Sequence, residues 1–491
     1  MGFERLSAQD SVFLHIESPT LPQHVGGLVL LEAGPFFDDQ GRFRLDEARQ
    51  TIGSRLHLVP RFRKKLMSVP FEQGRPVWID DHDFDLGYHI RLTALPSPGT
   101  EEQLKTLMGR LQSHPLDRRR PLWELWFVEG VEGDRVALIS KTHHCMVDGV
   151  SGLDVATVLF DLAPEPAELE PEPWYPEMAP TPLELLVESV VERVTEPAEM
   201  ARSARAALRA PQRAVEGAVE LLQSFLPLAP AAGRAPEMPW NNEVSPHRRW
   251  EEARVSLARV KAIKDAATAA GVTEGKCSVN DVVLAASTGA LRNYLIERGH
   301  DVGDDLVVKA MVPVSVRDDS QRYALGNRLS MLAAELPVGE PDPRQWLSRV
   351  HRMQSQLKAS GQAIGADRLI QMSGYVPPTV LGLASRALVR SRLVNLVVTN
   401  VPGPQFPLYC MGARVLEVFP YVGLAENLGL MIAVISYDGQ MEFGITGDRE
   451  LLPDLPALAG YLSKAFVELE EAVGTAAPRD AAPPGGQSPG D

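Results

Sequence analysis

The chain has 491 residues, 44% hydrophobic and 23% charged, with a formal net charge of −15 at pH 7. That is length for roughly three domain-sized units, and the composition is that of globular proteins with a large buried core. The acidic balance argues against a nucleic-acid binder, which would carry a basic face. Cys145, Cys277 and Cys410 are scattered and form no CxxC pair. Neither a zinc ribbon nor a disulfide framework is expected, and a reducing cytoplasm fits. Residues 1–7 lack the apolar core of a signal peptide, and Leu6 stands where a myristoylation pattern needs Ser or Thr. No uninterrupted run of about 18 apolar residues occurs, so no transmembrane helix is expected.

In chain order, Leu6 to Leu14 reads as a short helix with Ser7 as N-cap. Pro22 to Leu31, which contains His24-Val25-Gly26-Gly27, reads as a strand, and His24 beside two glycines reads as a packed residue. Asp46 to Leu58 reads as a helix. The basic cluster Arg61, Arg63, Lys64 and Lys65 has the charge to attract phosphates but reads as a solvated face. A second basic group, Arg118-Arg119-Arg120, leads into Pro121-Leu122-Trp123-Glu124 and a strand rich in aromatic and β-branched residues. A short turn at Gly130–Gly133 joins it to a second strand, Val136 to Ser140, as a hairpin.

That hairpin delivers Lys141, His143, His144, Cys145, Asp148 and Gly149 to the point where a strand gives way to helical periodicity over 150–160. Groups at such a junction are held by rigid elements on both sides. Neighbouring side chains on a strand point to opposite faces, so one of His143 and His144 faces a cleft and the other is structural. The same geometry disfavours a metal site built from His143, His144 and Cys145, and a Cys145–His nucleophile pair.

Residues 161–250 differ in composition. Glu165 to Trp174 is acidic and proline-rich, hence extended. Pro182 to Val194 is an amphipathic helix, with Leu183, Leu186, Val187, Val190, Val191 and Val194 on one face and Glu184, Glu188 and Glu192 on the other. Arg202, Arg205, Arg209 and Arg213 recur at helical spacing and are followed by Leu221, Leu222, Phe225, Leu226 and Leu228. Beyond Arg248, a long helix runs to about Glu297, capped by Ser278 or Asn280. A strand runs through Pro313 to Arg317, and a final hairpin of the Asp438-Gly439 type leads to Gly447-Asp448-Arg449 with no histidine. A duplicated domain with one active copy is the inference. The tail after Thr475 reads as disordered.

The pattern His143-His144-x-x-x-Asp148-Gly149 resembles the HHxxxDG signature of CoA-dependent acyltransferases. Together with the LSxxDxxFL and PxHVGG wording near the start, PLDxxxPLWE, Asn280-Asp281, the PVSVR run ending at Arg317, Gly326-Asn327 and the NVPGP run that starts at Asn400, directly after Thr399, it is similar to the bacterial wax ester synthase/diacylglycerol acyltransferase family over nearly the whole chain. The resemblance implies an α/β (α+β) fold of two chloramphenicol acetyltransferase-like domains, each a mixed sheet with flanking helices. The N-terminal acyltransferase domain is expected at 1–160, a Pro-rich and helical linker at 161–247, a C-terminal acyltransferase-like domain at 248–475 and a disordered tail at 476–491.

It further implies long-chain acyl transfer from acyl-CoA to diacylglycerol or a long-chain alcohol. His144 would be the general base, with His143 and Gly149 in the motif, and Asp148 would be a structural anchor paired with Arg317. Asn280, Asp281, Thr399 and Asn400 would lie near the substrate. No metal and no cofactor is implied, acyl-CoA being a substrate. Alternatives are a condensation-domain-like acyltransferase acting on another lipid alcohol, and a non-catalytic lipid-binding or droplet protein. The expected setting is cytoplasmic, with peripheral attachment to the inner membrane face or lipid droplets and no nucleic-acid partner.

Overall fold

The computed structural model describes residues 3–72, 74–146, 158–166, 172–195, 234–315, 329–359 and 393–475. Asp148, Gly149, Arg317, the arginine stripe at 202–213 and the tail lie outside these residues.

The first half runs α1 (Ala8–Ile16), β1 (His24–Glu32), α2 (Leu45–Arg55), β2 (Ile90–Ala94), α3 (Glu101–Ser113), β3 (Trp123–Val131) and β4 (Arg135–His143). Ser7 caps α1 as expected, its side chain accepting from the Asp10 N–H. β3 and β4 form the expected antiparallel hairpin, turning where Gly133 and Asp134 adopt φ of 78° and 54°. β1 lies beside β4, with His24 opposite His143. Its two glycines are required by close approach. A Cβ on Gly26 would lie 2.1 Å from the Ser140 carbonyl oxygen, and one on Gly27 2.6 Å from that of Phe419.

The bridge carries α4 (Pro182–Thr195). The helix forms, but Leu183 (68% exposed) and Val187 (53%) face solvent, while Leu185 and Ser189 turn inward. They do so beside the turn Pro70–Glu72, which α4 contacts.

The second half runs β5 (Arg248–Ser256), α5 (Leu257–Ala269), α6 (Val279–Glu297), β6 (Val308–Ser315), β7 (Leu329–Leu336), α7 (Pro343–Ala359), β8 (Leu396–Pro402), β9 (Tyr409–Cys410), β10 (Ala413–Val422), β11 (Leu430–Tyr437), β12 (Gln440–Asp448) and α8 (Leu455–Val473). Its sheet has the order β7-β6-β8-β11-β12-β5, with β8 parallel to both neighbours and the other pairs antiparallel. α6 is buried on nearly every side, from Asp281 to Leu291, because α5, α7 and α8 all pack on it. A helix so enclosed has no polar face to show. The β11–β12 hairpin turns at Asp438 and Gly439, with φ of 41° and 83°, as the Asp-Gly pair requires.

The first sheet has the order β9-β10-β1-β4-β3-β2. Two mixed six-stranded sheets with flanking helices therefore make up the expected fold class. The division at 160 and 248 does not hold for residues 409–422, however. β9 and β10 come from the second half of the chain, yet β10 pairs antiparallel with β1 along Val418–Val29 and Phe419–Leu28. The reason is physical: β1 is otherwise an edge strand, and an uncovered apolar edge is a liability.

Candidate active site

His143 is the last residue of β4, and His144 opens a 3-10 turn through Met146. The two rings leave the backbone for different surroundings. His143 is fully buried. Its Nδ1 accepts the Cys145 N–H at 3.1 Å. A backbone N–H can only donate, so the proton of the neutral ring sits on Nε2, which lies 3.3 Å from Oε1 of Glu17. Arg118 donates from Nε to the other Glu17 oxygen at 2.8 Å. Burial alone would raise the Glu17 carboxyl, but hydrogen bonding to His143 and the charge and hydrogen bonds of Arg118 outweigh it and bring it down to about 2. His143 is thus the structural member of the pair.

His144 is half-buried. Its N–H donates to the Gln23 carbonyl at 2.8 Å. Its ring stacks on Phe13, with centroids 3.7 Å apart and planes at 16°. Burial brings its imidazole down to about 4. A neutral imidazole is what proton abstraction needs.

The remaining candidates near the turn are inert. His24 packs edge-on to His143, with centroids 6.3 Å apart. Burial, then the charges of Lys141 and Arg248, hold it well below the usual range, so it is neutral. Cys145 is buried, and burial together with Asp10 and Glu17 pushes its thiol well above the usual range. Cys145 is therefore no thiolate nucleophile. Among the described residues no group of three His, Cys, Asp or Glu side chains is disposed to hold a metal.

In the second half, Asn280 and Asp281 fall in the first turn of α6. Ser278 is the cap, and its Oγ accepts the Asp281 N–H at 3.1 Å. Asp281 returns the bond, its Oδ2 accepting the Ser278 N–H at 2.8 Å. The same oxygen lies 2.9 Å from Nδ1 of His351 on α7. The Asp281 carboxylate is buried and committed to these partners, while Asn280 is half-buried. Thr399 and Asn400 are half-buried neighbours on β8. Strand alternation places Asn400 on the helix-covered face with Leu396 and Val398, and Thr399 on the opposite face with Val397 and Met431. These two residues cannot both address one ligand. Among the described residues no hydrogen bond or ring contact joins Asn280, Thr399 or Asn400 to His144.

Residues 6–283 match the wax ester synthase/diacylglycerol acyltransferase catalytic domain, and residues 325–470 match the C-terminal domain of the same proteins. The chain belongs to the wax ester synthase/diacylglycerol acyltransferase family. It is 34% identical over 473 residues to a probable diacylglycerol O-acyltransferase, tgs1, of Mycobacterium tuberculosis, covering 94% of this chain and 95% of that one. A second probable diacylglycerol O-acyltransferase of that species, tgs2, is 34% identical over 477 residues, 95% of this chain and 98% of that one. The solved wax ester synthase/diacylglycerol acyltransferase of Marinobacter aquaeolei VT8 superposes with a TM-score of 0.69 at 27% identity, over 96% of this chain and 100% of that one. The first condensation domain of the CDA synthetase has a TM-score of 0.51 at 15% identity, which is a likeness of fold alone.

The family wording near the start of the chain has a role that sequence reasoning missed. In the LSxxDxxFL run, Ser7 caps α1 and Phe13 supplies the ring that stacks on His144. Glu17, at the end of α1, holds His143. Gln23 accepts from His144 and donates from Nε2 to the Leu424 carbonyl at 3.4 Å, tying the motif to the second half. Arg118 of the PLDxxxPLWE run, read as fold support, reaches this group through Glu17. Periodicity is the only local signal for Phe13, and it places the residue on a helix without saying what that helix covers; Glu17 lies beyond the expected helix and has no local signal.

Proposed function

We propose that this chain transfers a long-chain fatty acyl group from acyl-CoA to the hydroxyl of diacylglycerol or a long-chain alcohol, with His144 as general base. The observation that carries this reading is the environment of His144: a half-buried ring stacked on Phe13 and kept neutral at physiological pH by burial. The acceptor hydroxyl gives its proton to the imidazole as its oxygen attacks the thioester carbonyl. The C–S bond then breaks, and the departing CoA thiolate takes the proton back from the imidazolium. The negative oxygen of the tetrahedral intermediate needs hydrogen-bond donors, and Thr399, Asn400 and Asn280 are the candidates. Asp148 anchors the turn after His144 by pairing with Arg317, and Gly149 lets the backbone pass. No metal or cofactor takes part in this scheme. The names of the mycobacterial relatives support diacylglycerol as acceptor.

The acceptor and product are insoluble lipids, so the reading includes peripheral attachment to a membrane or lipid droplet on the cytoplasmic side. No helix among the described residues is long and apolar enough to cross a membrane. The attachment is assigned to 201–228, where four arginines precede a bulky apolar run, a pattern suited to an anionic lipid surface. The test of the activity is an acceptor screen with labelled palmitoyl-CoA, with products separated by thin-layer chromatography. Triacylglycerol or wax ester is expected with wild-type protein and not with His144→Ala. Near wild-type turnover by His144→Ala overturns the mechanism.

A further inference from the structure

His351 stands on α7, far along the chain from every motif, and is only 6% exposed. Both of its ring nitrogens face acceptors. Nδ1 lies 2.9 Å from Oδ2 of Asp281, and Nε2 lies 3.0 Å from the carbonyl oxygen of Glu274. A carbonyl oxygen has no proton to give. The Asp281 oxygen already accepts the Ser278 N–H. With Asp281 ionised, satisfying both contacts requires a proton on each nitrogen, which is the imidazolium.

We propose that His351 is a positioning residue, held as an imidazolium that clamps the Asn280–Asp281 turn from behind. One end of its ring grips the loop before α6 at Glu274. The other grips the Asp281 carboxylate, which in turn fixes Ser278 and the first turn of the helix. Asn280 sits between the two clamped residues, so its side chain inherits their placement. The charges shown around it are Asp281 on α6, Glu274 on the preceding loop, and Arg352 beside His351 itself, whose Nε lies 3.7 Å from Oε1 of Glu274. The imidazolium is the group that meets the buried Asp281 carboxylate directly. The inference rests on the reading that Asn280 serves acyl transfer.

Two measurements test it. In a nitrogen-15 histidine spectrum of the full chain at neutral pH, the resonances lost in His351→Gln are expected at imidazolium positions for both nitrogens. A neutral-tautomer pattern overturns the proposal. In acyl transfer, His351→Ala and Asn280→Ala are each expected to lower kcat/KM by about tenfold or more, since small misplacements of a positioned group are costly. The double variant should be no worse than the poorer single one, and His351→Gln, which restores one donor, should recover part of the loss. If Asn280→Ala reduces turnover while His351→Ala lowers only the melting temperature, the positioning role fails. If Asn280→Ala leaves turnover unchanged while His144→Ala abolishes it, the assignment of Asn280 fails and takes the inference with it.

Discussion

Glu17 and His143 face each other 3.3 Å apart beneath the turn that carries His144, and Arg118 closes the group from the other side. The order is significant: the pair fixes the residue before the proposed base, and among the described residues no charged side chain pairs with His144. Glu17→Gln removes the anion and leaves His143 and Arg118 short of a partner. Hydrogen bonds to a charged group contribute about 1.5–3 kcal/mol, less where the partner is half-exposed as Arg118 is, so a loss of stability in urea is expected. The Glu17 carboxyl is held at about 2 in the fold against an ordinary 4.5. Its contribution is therefore complete above the ordinary value and is lost as pH falls from there through about 2. Wild-type stability should decline across that acid window, and the variant should decline less. Equal slopes for the two proteins would refute the assignment.

The environment of His144 predicts the acid limb of catalysis. With its imidazole at about 4, the base remains neutral down to mildly acid pH, and kcat/KM should fall only as pH drops through that value. Phe13→Ala lets water reach the ring and should move the limb up toward the ordinary histidine range. A pH–rate profile of the two proteins decides the matter. An unmoved limb would show that the stacking does not tune the base.

Replacement of His144 by Ala should lower turnover by about 10²–10⁴-fold with acyl-CoA binding retained, as expected for a lost general base. Cys145→Ala should keep substantial activity, because the thiol is buried and pushed up. A labelled acyl group recovered on Cys145 during turnover would sink direct transfer.

The Asp148–Arg317 pairing is tested by a double-mutant cycle. Asp148→Asn and Arg317→Ala should each reduce activity, and the double variant should lose less than the sum. Strict additivity of the two losses speaks against the pair.

Changing Arg202, Arg205, Arg209 and Arg213 to glutamate should weaken flotation with anionic vesicles, and wild-type flotation should fall with salt. Turnover of a soluble short-chain alcohol should survive. Flotation that ignores the substitutions removes this segment as the anchor.

Local features were legible in the sequence wherever the cause was local. Ser7, Ser278 and the Asp438-Gly439 turn announce their roles through capping and turn chemistry, and the α/β pattern follows from periodicity. A split between His143 and His144 is expected from the sequence, but it arises because the strand ends at His143 and a 3-10 turn begins at His144. What stayed hidden depends on distant partners. Nothing near Asp281 marks His351 as its partner, and nothing near Phe13 marks His144. Leu183 and Val187 form an apolar stripe by spacing, yet they face solvent while Ser189 is buried. Periodicity identifies a face without saying where it points.

The pairing of Val418 with Val29 has a consequence for synthesis. As the chain leaves the ribosome, β1 and the histidine hairpin emerge early, but the strand that shields β1 emerges only after most of the polypeptide. For that interval an apolar edge stands open, the condition under which nascent chains aggregate or recruit chaperones. Closing a sheet across so long a separation is also slow. Truncations that end before residue 413 should therefore accumulate as insoluble material even though they keep the whole HHxxxDG motif, and supplying β10 afterwards in trans is the route by which solubility should return.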